Sequence, residues 1–313
     1  MKIFATNFLD KGEAAYFEEG KKVWSMPLTC PKCTCTDGKY CYTYSLENGV
    51  FEIHSFEMSG NGFKVKSKLV IDEVNIAHMN YSKVHNLLFL SSTESGFTTA
   101  VNVEDGELMG VAFHLMPGGV APSGCHQVIF NKAEDLAVAV NISQNKVFFY
   151  NFADKAFEEK AVMSFPDGTK PRHAMFAPDE KVMYLVTEGS NELFVIDYKN
   201  LKVLQTNKIV DIEAEDAKVA TMAIDPNKNL LFATIRGNNQ VAEFAMGEDG
   251  LLTRKEIFST HGDRSPNMII SNDKKFLVFG NLFSNNITIV DAKTKELVLA
   301  IPFEKALGIA EVL

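Results

Sequence analysis

The amino-acid sequence predicts an all-β protein, a seven-bladed β-propeller with four-stranded blades, in which residues 1–313 form a single domain. Three observations favour this fold. A strand–turn–strand pattern recurs about every 47 residues, turn-forming residues occupy the same place in each recurrence, and the chain begins and ends partway through a repeat. Short strands repeating at such an interval are typical of propeller blades. The 24 Phe also favour strands, since aromatic side chains fit pleated, half-buried surfaces.

Six segments share the sequence pattern of an apolar strand, a polar turn and a second apolar or aromatic strand. They are residues 31–45, 76–92, 125–141, 172–188, 220–236 and 267–281. The centres of their second strands are 47, 49, 46, 48 and 46 residues apart, at Tyr42, Phe89, Val138, Tyr184, Phe232 and Val278. Such regular spacing predicts one structural unit repeated along the whole chain.

Each unit continues into two further strands. Turns such as Thr-Asp-Gly-Lys at 36–39 and Asp-Pro-Asn-Lys at 225–228 predict antiparallel pairing of the first two strands. Apolar third strands follow, at residues 146–152, 192–198, 240–246 and 286–292. Fourth strands are predicted at residues 160–165, 204–210 and 255–260. Four strands per repeat make a propeller blade.

The two ends of the chain complete a seventh blade. Residues 1–8 form a second strand centred on Phe4 without a preceding first strand, whereas residues 308–313 form a first strand without a partner. We expect these two strands to pair, because closing the ring removes exposed sheet edges. A β-sandwich is the alternative fold, and the segments 211–220 and 303–313 have compositions that also suit a helix.

Charge and composition limit the function classes. The chain carries 31 Lys and Arg against 40 Asp and Glu, a formal net charge of −9, and contains no basic run. It is therefore not expected to bind nucleic acid or an anionic membrane. It lacks an apolar run of about 18 residues and a visible signal peptide. Five cysteines are an odd number, which favours reduced thiols and a cytoplasmic location.

The first strand of each propeller blade lines the central axis, so its opening residue is a candidate for the ligand site. Counting back six residues from each turn gives Lys32, Ala77, His126, Arg172 and Ala220, with Pro266 or Asn267 in the last repeat. The neighbouring positions are His78, Gln127 and His173, and two second strands end at Glu188 and Arg236. Ionisable groups converging on one cleft are typical of a site with shifted pKa values.

Several segments resemble the lactonase-type propellers, which include 6-phosphogluconolactonases and carboxy-muconate cyclases. The resemblance rests on KPRHAMFAPDEKVMYLVTE at 170–188, the Pro-x5-Asp-Gly-Lys-Tyr-x-Tyr pattern at 31–42, Gly-x-His at 124–126 and IRGNNQV at 235–241. It extends over essentially the whole chain at blade spacing. The resemblance implies a hydrolase acting on a sugar-acid lactone, with a small anionic lactone or sugar acid as its ligand.

The resemblance also implies roles for individual residues. The catalytic residues implied are His126, Arg172 and Glu188. The imidazole is expected to act as general base, and the guanidinium as a two-pronged donor to the oxyanion or to a substrate carboxylate or phosphate. The carboxylate either orients the guanidinium or serves as an acid/base. The family pattern has a further Arg after the Pro that opens the last repeat, but this chain has Ser265-Pro266-Asn267, with Arg264 just upstream as a substitute. The predicted substrate-binding residues are Lys32, His78, His173, Arg236, Arg264 and Asn267.

Other interpretations remain open from the residues alone. The protein could be a non-catalytic propeller binding a small ligand or a protein, or a muconate-type cycloisomerase, and Arg172–Glu188 could be an interstrand ion pair that braces the blade. No cofactor and no metal are expected. The Cys30-x2-Cys33-x-Cys35 pattern lacks a second ligand pair and reads as strand core, and the acidic run 211–216 reads as a solvated loop.

Overall fold

A computed structural model describes residues 1–72, 75–120, 123–210 and 216–312. These residues form 28 strands and no helix. The strands assemble into seven four-stranded antiparallel sheets. The predicted all-β propeller is therefore confirmed.

The blades are numbered from the N-terminus, and their strands follow chain order. Blade 1 has β1 (Lys2–Asn7), β2 (Gly12–Glu18) and β3 (Lys21–Leu28). Blade 2 has β4 (Thr34–Thr36), β5 (Tyr40–Glu47), β6 (Val50–Ser59) and β7 (Gly62–Ile71). Blade 3 has β8 (Ile76–Ser82), β9 (Leu87–Ser92), β10 (Thr98–Glu104) and β11 (Glu107–Leu115). Blade 4 has β12 (Cys125–Phe130), β13 (Leu136–Asn141), β14 (Lys146–Ala153) and β15 (Ala156–Ser164).

The remaining blades follow the same plan. Blade 5 has β16 (Pro171–Phe176), β17 (Met183–Thr187), β18 (Glu192–Asp197) and β19 (Lys202–Lys208). Blade 6 has β20 (Lys218–Asp225), β21 (Leu230–Arg236), β22 (Gln240–Met246) and β23 (Leu252–Ser259). Blade 7 has β24 (Asn267–Ile270), β25 (Phe276–Asn281), β26 (Asn286–Asp291) and β27 (Leu297–Pro302). The last strand, β28 (Ala306–Glu311), returns to blade 1.

Burial changes from the axis outwards. Second strands such as β9 are buried along their whole length, because neighbouring blades cover both of their faces. The outer strand β19 alternates between exposed and half-buried residues, as expected for a sheet edge with one covered face. The hydrophobic core accordingly consists of seven clusters, each packed between two adjacent blades.

The ring closes through antiparallel pairing of β28 with β1. Phe4 lies opposite Ala310, and Ala5 lies opposite Ile309. Gly308 is required at this seam, since a Cβ there would overlap Thr6 Oγ1 and lie 2.9 Å from the Lys32 carbonyl oxygen. The predicted terminal closure is confirmed.

Neither segment with a helical composition forms a helix where it is described. Residues 306–311 are the closing strand, because β1 offers them an unpaired edge and the core between blades 7 and 1 takes their apolar side chains. Residues 211–215, which carry most of the acidic run, lie outside the described residues, and β20 begins soon afterwards at Lys218. No helix of the described chain is long and apolar enough to cross a membrane.

Replacing the buried Ile309 tests the closure energetically. Ile309→Ala removes a side chain that is 3% exposed and packs in the cluster between blades 7 and 1, so we expect a loss of about 2–5 kcal/mol in the free energy of unfolding. Chemical denaturation measures this loss. The control Val298→Ala alters a 53%-exposed outer-strand residue and should change stability by no more than about 0.5 kcal/mol. Equal effects of the two substitutions would contradict the closure.

Candidate functional site

A cavity of about 820 Å³ follows the propeller axis. The first strands surround it in the order β4, β8, β12, β16, β20, β24 and β28. At the end where these strands begin, which we call the mouth, Lys32, Arg172 and Asn267 line the cavity. At the opposite end, where the first strands finish, Lys132 and Glu180 line it. Because sequence-distant residues meet at the mouth, it is the candidate site.

Five first strands share an irregularity at the mouth. The pairing register shifts at Ala77, His126, Arg172 and Leu307, and across Ala220–Thr221, whereas β24 pairs with β25 without a shift. A β-bulge changes the direction of the side chains around it, so consecutive residues need not face opposite sides. Arg172 and His173 both line the cavity for this reason, as do Ala77 and His78.

One carboxylate holds two guanidiniums at the mouth. Arg172 Nε donates to Glu188 Oε2 at 2.9 Å, and Arg236 Nη2 lies 2.8 Å from the same oxygen. Arg172 Nη1 also donates to the carbonyl oxygen of Ala220 on blade 6. We call Arg172, Arg236 and Glu188 the arginine–glutamate cluster. It joins blades 5 and 6, so Arg172–Glu188 is more than an ion pair within one blade.

Arg172 remains a cation despite its burial. Its side chain is 10% exposed, and this burial, together with the neighbouring Arg236, lowers its pKa to about 10. The carboxylate of Glu188 opposes that shift. At neutral pH the arginine–glutamate cluster therefore has two positive charges and one negative charge.

Three imidazoles form a row next to this cluster. The ring centroids of His126 and His173 are 4.9 Å apart, and those of His78 and His173 are 5.5 Å apart. Burial, and next the charge of Arg172, lower the pKa of His78 to about 4 and hold the pKa values of His126 and His173 well below 6.5. All three rings are therefore neutral at pH 7.

The structure brings His126, Arg172 and Glu188 to the same end of the axis, but His126 sits deeper than the sequence predicts. His78 and His173 line the cavity, whereas His126 is 6% exposed and lies against the ring of His173. Two ring nitrogens, Nδ1 of His126 and Nε2 of His173, are buried and have no hydrogen-bond partner within the described chain. Buried polar atoms of this kind call for a partner.

Gln127 and Thr221 orient two of these rings, a role that sequence analysis missed. Gln127 Oε1 accepts a hydrogen bond from the Ala174 amide at 2.7 Å, so its Nε2 is the atom that faces His78 Nε2, at 3.4 Å. The proton of His78 consequently resides on Nδ1. Thr221 Oγ1 lies 3.0 Å from His173 Nδ1. The sequence did contain a signal for this role, because Gln127 and Thr221 occupy the same position of the repeat as His78 and His173.

The other predicted binding residues divide into two groups. Lys32 and Arg236 line the cavity, and Lys32 Nζ donates to Asn75 Oδ1 at 2.7 Å. Asn267 also lines it, with Nδ2 donating to the Leu307 carbonyl oxygen at 3.2 Å. Arg264 does not line it, because its guanidinium binds Asp216 Oδ2 at 2.6 Å. The structure therefore does not bring Arg264 to the cavity with the other predicted binding residues.

The cysteines are unpaired, and one of them lies at the site. Cys41 is buried in the core, as expected, but Cys33 lines the cavity and its thiol donates to the Ile76 carbonyl oxygen at 3.4 Å. Burial raises the pKa of Cys33 to about 11, so it is a thiol at neutral pH. Among the described residues, no group of three or more His, Cys, Asp or Glu could hold a metal ion.

Comparisons with known proteins agree with this architecture. A 6-phosphogluconolactonase of Bacillus subtilis (strain 168) is 23% identical over 293 residues, which cover 87% of this chain and 84% of that protein. A solved structure of a Lactobacillus plantarum protein has a TM-score of 0.85 at 19% identity, with all of both chains covered. The periplasmic gluconolactonase of Pseudomonas aeruginosa has a TM-score of 0.81 at 17% identity, covering 100% of this chain and 99% of its own.

The family comparison covers most of the chain. The family model described as "Lactonase, 7-bladed beta-propeller" matches residues 28–301, which include blades 2 to 6 and nearly all of blade 7. The matched region contains every residue of the arginine–glutamate cluster and all three imidazoles of the mouth. The chain therefore belongs to the lactonase family of seven-bladed β-propellers.

Proposed function

We propose that this protein hydrolyses a sugar-acid lactone at the mouth of the axial cavity. One observation carries the proposal: the arginine–glutamate cluster, with two positive charges and one negative charge, lies next to a row of neutral imidazoles. A neutral imidazole accepts a proton, and a fixed guanidinium stabilises a developing oxyanion. The names of the Bacillus subtilis and Pseudomonas aeruginosa relatives, both lactonases, support this chemistry.

The reaction follows from these two elements. A water molecule gives its proton to an imidazole nitrogen while its oxygen attacks the lactone carbonyl carbon, and the carbonyl oxygen becomes an oxyanion. Collapse of this intermediate breaks the ring C–O bond, and the imidazolium returns the proton to the departing alkoxide. The products are a hydroxyl group and a carboxylic acid, which loses its proton to solvent at neutral pH.

The contacts of the site suggest which atoms take each role. Arg172 uses Nε and Nη1 within the protein, so its Nη2 is the edge that donates to the oxyanion. Glu188 positions both guanidiniums through one oxygen. The unpartnered nitrogens of His126 and His173 are on adjacent rings, and we assign them the binding and deprotonation of the attacking water.

One feature favours a second function, that of a non-catalytic ligand-binding propeller. Position 267 carries an amide instead of the cation that the family pattern leads us to expect, which reduces the electrostatic stabilisation available to an anion. Absence of hydrolysis with retained binding of a sugar acid would support this second function.

The remaining sequence-based expectations stay predictions. They are a single domain spanning residues 1–313, a cytoplasmic location, no cofactor, and no nucleic-acid or membrane partner. Free thiols are consistent with a reducing compartment, and all five cysteines are unpaired.

Arg172→Lys tests the oxyanion role. Lysine keeps the charge but cannot donate to Glu188, Ala220 and substrate in one plane, so we expect kcat/KM for gluconolactone to fall by about 10²–10³-fold. The measurement is hydrolysis followed by acid release, corrected for the spontaneous reaction. The exposed Arg254→Lys serves as the matched control and should retain wild-type activity. A loss below threefold in Arg172→Lys would contradict the role.

His126→Ala tests the general base. Removing one of the two unpartnered nitrogens should reduce kcat by about 10²–10⁴-fold, because the attacking water then loses one of the two groups assigned to bind and deprotonate it. The control is His261→Ala, at an exposed ring that does not line the cavity and whose Nε2 contacts the Lys295 carbonyl oxygen. If His126→Ala raises only KM and leaves kcat unchanged, the residue binds substrate and is not the base.

The pH profile tests the neutral imidazoles. Since burial and Arg172 hold their pKa values below 6.5, the neutral form persists as the pH falls from 8 through 6.5. We therefore expect kcat/KM, after subtraction of spontaneous hydrolysis, to remain level as the pH falls through 6.5 and to decrease only at lower pH. An NMR titration of the ring carbons should give the same midpoints. A half-loss near pH 6.5 would show that an ordinary histidine controls the reaction.

A further inference from the structure

The charges around the cavity restrict the substrate beyond the class of sugar-acid lactones. This inference rests on the proposed function. Among the described residues, the cations that line the mouth are Lys32, Arg172 and Arg236, and the three imidazoles are uncharged at neutral pH. The number of positive charges still available to a bound ligand therefore decides how many negative charges that ligand can carry.

The arginine–glutamate cluster has one positive charge to spare. Glu188 neutralises one of the two guanidiniums, since Arg172 and Arg236 share its Oε2. Lactone hydrolysis creates one negative charge, on the oxyanion. The transition state of an uncharged lactone therefore matches the surplus charge of the cluster.

A phosphorylated lactone needs more cations than this. A phosphate monoester carries about −1.5 to −2 charges at pH 7 and three strong acceptor oxygens. Burying such a group requires opposing charges and donors for its oxygens. After the cluster serves the oxyanion, Lys32 is the one cation left among the described residues that line the mouth, and its Nζ already donates to Asn75.

Neither blade 7 nor the far end of the cavity supplies the missing charge. On blade 7 the mouth residue is Asn267, and the nearby Arg264 is committed to Asp216 outside the cavity lining. At the far end Lys132 is accompanied by two carboxylates, Glu134 and Glu180, so that end repels anions.

The uncharged lining fits hydroxyl groups instead. Residues with amide or hydroxyl side chains line the cavity, and these groups both donate and accept hydrogen bonds. Among them are Asn80, Gln127, Thr221 and Asn267. Within the described chain, Asn267 makes one side-chain hydrogen bond, through Nδ2, and its Oδ1 accepts none. A polyhydroxylated ring satisfies such groups without adding charge.

We propose that the substrate is the uncharged lactone of an unphosphorylated polyhydroxy acid, and that Asn267 is the specificity-determining residue that disfavours a phosphorylated one. The sequence-based expectation was a small anionic ligand. In this proposal the substrate is neutral, and only its hydrolysis product carries a negative charge, on one carboxylate.

Two lactones that differ only in the phosphate test this proposal. The probes are glucono-δ-lactone and 6-phosphoglucono-δ-lactone, and the measurement is the ratio of their kcat/KM values for the full-length wild-type protein. We expect a ratio of at least 10 in favour of the unphosphorylated lactone. A wild-type ratio that favours the phosphorylated lactone would overturn the proposal.

Substitution at position 267 tests the residue responsible. Asn267→Arg adds a cation facing the cavity and should move the ratio at least tenfold towards the phosphorylated lactone. The matched variant Asn267→Gln lengthens the side chain without adding charge and should move the ratio less than threefold. Equal shifts in the two variants would show that size, not charge, acts at this position, and would overturn the role of Asn267.

Binding of the hydrolysis products separates failure of this inference from failure of the proposed function. If neither lactone is hydrolysed, the proposed function fails, but calorimetry with gluconate and 6-phosphogluconate still decides between the two charge states. Tighter binding of gluconate by the wild type supports the inference. Tighter binding of 6-phosphogluconate contradicts it.

Discussion

The pairing of the last strand with the first holds the seven blades in a closed circle. Without β28 on β1, blade 1 would have no strand on the axis, and its neighbours on both sides would lose their packing surface. Gly308 shows how tight the seam is, since a methyl group there would collide with Thr6 and approach the Lys32 backbone. The mouth depends on this closure, because its residues come from blades that are separated by about 47 residues in sequence.

β-Bulges in the first strands determine which side chains line the axial cavity. In a regular strand His173 and Arg172 would face opposite sides, but the register shift between Pro171 and His173 lets both line the cavity. A register shift of the same kind at Ala77 allows His78 to line the cavity. Blade 7 lacks the shift at Asn267. The three imidazoles and Arg172 all lie at a bulge or directly after one, so the irregularity belongs to the site.

Burial accounts for the electrostatics of the mouth. A buried guanidinium is costly unless it is paired and hydrogen-bonded, and Glu188 together with the Ala220 carbonyl provides this for Arg172. The same burial and the same cation disfavour protonation of the three imidazoles. One arrangement therefore yields both a fixed positive charge and neutral bases beside it, two requirements that are hard to meet together in water.

The sequence alone determined the number of blades, the centres of the second strands and the pairing of the termini. These features follow from local patterns, namely strand periodicity, turn residues and a constant repeat length, so Phe4 and Tyr184 could be assigned without coordinates. It also identified Arg172, Glu188 and most residues of the mouth by their place in the repeat. Tertiary structure decided the rest: Arg236 shares the carboxylate of Glu188, His126 lies behind His173, and Arg264 turns to Asp216. Those outcomes depend on distances between side chains on different blades and on their burial, and neither quantity is encoded in the spacing of residues along one chain.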